Sequence, residues 1–153
     1  MDEKGNIKLY FSLAEDLIIW YKNIKEVYGN LDNFLVLLSV ANFHKKEITE
    51  GVEGSPNIDD QELTSKSIVA RIPKEKGVSI NGIVRETGIP RTSVKRIIDQ
   101  YVEKEVFKKT PKGLITIGVN YRSNNKNRRI ASYHFFQQVV KKTKAHNLKI
   151  AEE

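Results

Sequence analysis

The chain has no cysteine. That excludes a disulfide framework, a thiolate metal site and a thiol nucleophile, and it is compatible with a reducing cytoplasm. Long hydrophobic runs are also missing. The longest, Phe34 to Val40, falls far short of the roughly 20 residues a membrane helix needs. The N-terminus MDEKGNIK is polar and lacks a signal-peptide pattern. The histidines are His44, His134 and His146, none in a metal-ligand spacing. His44 ends an apolar helix and reads as a partner for its C-terminal dipole. No phosphate loop, nucleotide fingerprint or nucleophile elbow is present. The carboxylates Glu50, Glu53, Asp59 and Asp60 flank a polar loop and read as solvated. These absences point to a soluble cytoplasmic protein with no metal, no cofactor and no enzymatic activity.

What is present is basic charge, unevenly placed. The 153 residues carry a formal net charge of +7. Residues 1–76 hold 10 Lys+Arg against 13 Asp+Glu, whereas residues 77–153 hold 16 against 6. A basic half of this kind suits a polyanionic partner. The length suits one domain, or a small core with extra helices, and is enough to bury a core without staples.

Apolar periodicity predicts a helix over 8–28, with Tyr10, Leu13, Ala14, Leu17, Tyr21, Ile24 and Tyr28 on one stripe. Its aromatic residues read as core or dimer packing. A second helix, apolar on most sides, runs from Asp32 or Asn33 to His44, and residues 49–58 read as a loop. A third helix runs from Asp59 or Asp60 to Arg71. Val78-Ser79 reads as a short strand, and Ser79 as the N-cap of a helix over Ile80–Thr87. Pro90 is placed at the first position of the next helix, which ends near Glu103. Val106–Lys109 and Leu114–Val119 alternate as two strands joined by TPKG. Residues 120–127 form a connector. A last helix covers 128–146, with Ile130, Tyr133, Phe136, Val139 and Val140 on its apolar side, and the tail beyond Leu148 reads as frayed.

The stretch SINGIVRETGIPRTSVKRIIDQYVEKEVFKK carries the chemistry. Gly88 supplies the positive φ that a tight interhelical turn needs. Ile83, Val84, Ile89, Val94 and Ile97 stand at −5, −4, +1, +6 and +9 from it, the core spacing of helix-turn-helix motifs. On the second helix Val94, Ile97, Ile98, Tyr101 and Val102 face inward. Thr92 and Arg96 lie opposite, flanked by Ser93 and Lys95 and preceded by Arg91. Short polar and basic groups near a helix start suit a helix in a DNA groove. Arg96 is the candidate guanine reader, and Thr92 or Ser93 can touch a thymine methyl or a phosphate. Asp99 and Glu103 share the exposed side further along, so only the first two turns suit a groove. Lys108, Lys109 and Lys112 crowd the hairpin that follows, where they can meet backbone or minor groove. The alternative is an ordinary surface helix with Lys95–Asp99 as an i,i+4 pair.

SINGIVRETGIPRTSVKRIIDQYVEKEVF followed by KKTPKGLITI resembles the winged helix-turn-helix domains of bacterial transcriptional regulators. The expected fold is therefore mainly α: a three-helix core plus β-hairpin wing, with N- and C-terminal helices. Two helices before this module and one long helix after it resemble the layout of the multiple-antibiotic-resistance regulator type. That resemblance implies a homodimer held by the terminal helices and a small-molecule effector, phenolic in that family, that releases DNA. Two departures stand out. Val84 occupies a position that is small in such motifs, and KKTPKGL lacks the family's Asp-x-Arg wing signature. The expected organisation is N-terminal helices over 1–58, a DNA-binding region over 59–119 and a dimerisation helix over 120–153. The expected function is sequence-specific binding of double-stranded DNA in transcription regulation. The alternative is a winged-helix interaction or assembly module without specific DNA binding. RNA binding is disfavoured by the lack of stacking aromatics on the strands.

Overall fold

The computed structural model describes the backbone of residues 3–53, 61–121 and 126–152, and the side chains of 3–50, 65–121 and 132–147. The elements in order are α1 (Glu3–Tyr28), α2 (Leu31–Phe43), α3 (Lys45–Glu53), α4 (Gln61–Arg71), α5 (Ile80–Thr87), α6 (Arg91–Glu103), β1 (Phe107–Lys109), β2 (Ile115–Ile117) and α7 (Lys126–Glu152). The fold is mainly helical, with one small antiparallel sheet. The chain divides into two compact units, Met1–Leu31 with Asn125–Glu153, and Asp32–Asn124.

The first unit is an antiparallel pair of α1 and α7. His146 Nε2 lies 2.6 Å from Asn6 Oδ1, Lys142 Nζ donates to Asp16 at 2.6 Å, and Trp20 stacks on Phe135 with ring centroids 5.3 Å apart. This pairing accounts for two differences from the sequence expectation. α1 starts at Glu3 rather than residue 8, and α7 runs to Glu152 rather than fraying after Leu148. The start of α1 gains a partner that local propensity does not register, since Asn6 meets His146 of α7. Ile7, Tyr10, Phe11, Leu17, Ile18 and Tyr21 of α1 and Tyr133, Phe136 and Val140 of α7 remain exposed. At about 100° per residue, each stripe sits roughly 120° from its helix's contact line, in the same rotational sense. In an antiparallel pair, equal senses fall on one side, so the two stripes share a face.

The second unit buries its apolar residues internally. Val36, Val40, Ile68, Ile83, Val94, Ile97, Ile98, Phe107, Ile115 and Ile117 are essentially inaccessible. Tyr101 meets Phe107 edge to face at 5.2 Å, which fixes α6 against the hairpin. Register pairs Phe107 with Ile117, Lys108 with Thr116 and Lys109 with Ile115, and Val78 adds a single bridge to Ile115. The hairpin base is tightly closed. A Cβ on Gly118 would fall 2.2 Å from the Glu105 carbonyl oxygen, so only glycine fits there.

Residues 49–53, expected in a loop, belong to α3; the rest of that expected loop, 54–58, lies outside the described residues. The chain turns at His44 and restarts as a helix, with Ile48 N–H bonded to the His44 carbonyl at 3.0 Å. Glu47 is buried on α3 and accepts from Lys76 Nζ at 2.5 Å. Gly51 lies within this helix despite the usual helix cost of glycine. Pro90 is the N-cap of α6 rather than its first residue, because its ψ of 141° is extended. Among the described residues no helix is long and apolar enough to cross a membrane.

Candidate nucleic-acid interface

Helices α5 and α6 meet across Gly88-Ile89-Pro90. Ser79 caps α5 by accepting from Gly82 N–H at 2.9 Å. Gly88 closes it at φ 72°, ψ 5°, with its N–H on the Val84 carbonyl. Thr87 Oγ1 donates to the Ile83 carbonyl at 2.8 Å and accepts from Ile89 N–H at 3.2 Å, so one hydroxyl ties the end of α5 to the turn. Ile89 is buried, and Val84, read as a departure from the usual small residue, is accommodated half-buried.

The turn aims α6 so that Val94, Ile97, Ile98 and Tyr101 are buried. Thr92, Lys95 and Arg96 are exposed on the opposite side, and Ser93 is half-buried. Thr92, Lys95, Arg96, Asp99, Gln100 and Glu103 line one shallow depression. Arg91 is exposed and its guanidinium donates to the Asn81 side chain of α5. No side chain caps α6. Its first-turn amides are thus left for an acceptor from outside, and the helix dipole favours an anionic one.

Lys108, Lys109 and Lys112 are all exposed on the hairpin. Gly113, at φ 80°, lets the turn close with its N–H on the Thr110 carbonyl at 2.8 Å. Lys109 Nζ lies 3.4 Å from Asp99 of α6. Both groups are largely solvated, so the pair holds weakly and a phosphate can compete for the lysine. The eight sequence-predicted residues thus fall on two adjoining elements, α6 and the hairpin.

Three contacts around this surface were not legible in the sequence. Asp99 meets Lys109 rather than serving only as the i+4 neighbour of Lys95, Asn81 receives Arg91, and Glu86 of α5 accepts from Ser39 at 2.9 Å and Asn42 at 3.2 Å on α2. Each joins residues at least ten positions apart, where no helical or strand period operates.

His44 does not serve as a charged partner for a helix end. Its ring is fully buried, and neither nitrogen has a well-formed hydrogen bond among the described residues. Burial pushes its pKa below the ordinary 6.5, against smaller upward pulls from the Ile115 backbone and Glu47. Burial alone would raise the neighbouring Glu47 carboxyl. The hydrogen bond and charge of Lys76 outweigh that and hold it below its usual value. Among the described residues no group of His, Cys, Asp and Glu could hold a metal ion. Comparisons with family models, curated proteins and solved structures returned no match.

Proposed function

We propose that the chain is a sequence-specific, double-stranded-DNA-binding transcriptional regulator of winged helix-turn-helix architecture. In this reading α6 enters the major groove. Arg96 reads a base edge, Thr92, Ser93 and Lys95 contact base or backbone, and Arg91 sits at the groove edge. The hairpin is the wing, and Lys108, Lys109 and Lys112 hold flanking phosphates. The observation that carries the proposal is α6 itself: a buried apolar stripe, an opposite face of Thr92, Lys95 and Arg96, and a start left uncapped by side chains, beside a lysine-bearing hairpin.

The α1/α7 unit supports homodimerisation. Nine of the ten large apolar side chains exposed on its described residues, all but Ile19, lie on one side, as a self-complementary two-fold contact requires. Two copies would present two α6 helices to half-sites about one helical turn apart.

The test is binding to randomised duplexes across a salt series. The expected result is enrichment of one sequence with a steep log–log salt dependence. Replacing Lys109 and Lys112 with alanine should flatten that slope by about 0.9 per lost phosphate contact. Equal affinity for all duplexes, or none, overturns the proposal. A second reading, an interaction module without specific DNA binding, is favoured by Asp99 and Glu103 on the outer face of α6, whose charge opposes phosphates. It predicts no duplex enrichment.

A further inference from the structure

Twelve asparagines occur in the chain, and eleven of them precede a residue that carries a side chain. Only Asn81 precedes glycine. A side chain at the following position hinders that residue's backbone nitrogen from reaching the asparagine Cγ, and glycine has none. Asn81 is exposed in the first turn of α5, where its Oδ1 accepts from the Arg91 guanidinium. The first amides of a helix have no intrahelical partner, and the backbone ladder of α5 begins with Ile83 N–H on the Ser79 carbonyl at 3.1 Å. Gly82 N–H is held instead by a side-chain bond, to Ser79 Oγ at 2.9 Å.

We infer that Asn81–Gly82 is a self-modification site, at which the Asn81 amide converts to a carboxylate at a rate gated by the Ser79 cap. Attack on Cγ needs a backbone ψ outside the helical range, so the closed first turn suppresses it. When the cap opens, the Gly82 nitrogen gives its proton to water or hydroxide and bonds to Asn81 Cγ. The bond from Cγ to the side-chain nitrogen breaks, and that nitrogen leaves as ammonia with a proton from water. A five-membered succinimide remains. Water then opens it at either carbonyl, giving aspartate, or isoaspartate with the chain routed through the side chain. The net change is one water consumed and one ammonia released. A carboxylate at position 81 would stand beside Arg91, neutralising it and facing phosphate. That consequence for DNA rests on the function proposed above, whereas the modification itself does not.

The test is peptide mass mapping of the full chain during incubation at neutral and mildly alkaline pH, with the chain in urea as the ungated reference. Conversion should appear first at Asn81, as aspartate and isoaspartate together, and quicken with pH. It should run at least tenfold slower folded than in urea. Ser79→Ala should speed it fivefold or more, whereas Ser79→Thr, which keeps a hydroxyl acceptor, should hold the unchanged rate. Asn81→Gln should stop it, because the longer side chain would have to close a larger ring. Conversion first at another asparagine, a folded rate equal to that in urea, or no acceleration in Ser79→Ala overturns the site. The other asparagines report on global loosening: a Ser79→Ala variant that converts faster at all of them overturns the gate. Asn81→Asp should weaken duplex binding threefold or more, and unaltered binding overturns the consequence for DNA. Failure of the unchanged protein to bind any duplex would count against the DNA reading and not against this site.

Discussion

The two units solve the same burial problem differently. In Asp32–Asn124, helices α2, α5 and α6 and both strands close a core in which Val36, Ile83, Val94, Ile98 and Ile115 have no accessible surface, and among the described residues the large apolar ones left exposed are Leu38, Phe43 and Val119. In the α1/α7 unit the reverse holds. Tyr10, Phe11 and Ile18 are each more than 60% exposed, as is Phe136. Two helices have only one mutual contact line, so a helix apolar on two sides must leave one of them in water. The comparison teaches that the second unit buries its apolar residues by itself, whereas the α1/α7 pair leaves a stripe of its own in water.

The widest separation should appear in matched truncations. Ile97→Ala removes buried methyl groups and should cost about 2–4 kcal/mol in urea unfolding. Ile18→Ala, at an exposed site, should cost about 0.5 kcal/mol or less at concentrations where the chain is monomeric. Equal losses in the two variants would erase the contrast.

Assembly sharpens the comparison next. Phe136→Glu places a charge in the exposed stripe and should convert a dimer to monomers, read by sedimentation at micromolar concentration. An unchanged protein that sediments as a clean 17.6 kDa monomer would break the idea that the α1/α7 face is completed by a second copy.

Arg96→Ala probes the self-contained unit at its surface. It should cost about 1–3 kcal/mol on the preferred duplex and relax preference at one base pair, with the fold unaltered. An equal loss on scrambled duplexes would make Arg96 a phosphate contact.

The smallest effect is a pH dependence in the same unit. Well above 6.5 the His44 ring is neutral folded and unfolded, and contributes no dependence. As pH falls below 6.5 the unfolded chain takes up a proton that the buried ring resists, so stability declines until the folded ring also protonates. The depressed Glu47 carboxyl adds its own loss only below about its ordinary 4.5. His44→Phe should remove the upper part of the decline and keep the lower. An unaltered profile between pH 6.5 and 5 would show that His44 is hydrated or paired in solution.

How far the sequence reached follows from the range of the forces. The α5–turn–α6 segment is written locally: Ser79 as cap, Gly88 at positive φ, and a 3.6-residue stripe from Val94 to Tyr101 all act within a few positions. The exposed placement of Thr92, Lys95 and Arg96 followed from that stripe. The pairing of α1 with α7, through Asp16–Lys142 and Trp20–Phe135, spans more than a hundred residues and has no local signature. The helical course of 49–53 was missed for the same reason, since the Glu47–Lys76 bond that favours α3 comes from a distant segment. The Lys109–Asp99 pair has no local signature either, since its residues stand ten positions apart and meet where Tyr101 packs on Phe107.

The Glu86 carboxylate has a mechanical meaning. One oxygen takes the Ser39 hydroxyl and the other the Asn42 amide, so α2 and α5 are clasped at two points one turn apart. Such a clasp resists torsion as well as separation. Two bonds to one carboxylate restrict both the sliding and the twisting of α2 against α5, the helix that leads into the packed turn. The orientation of α5, and with it the turn into α6, is thus tied to the second helix of the chain through a single acidic side chain.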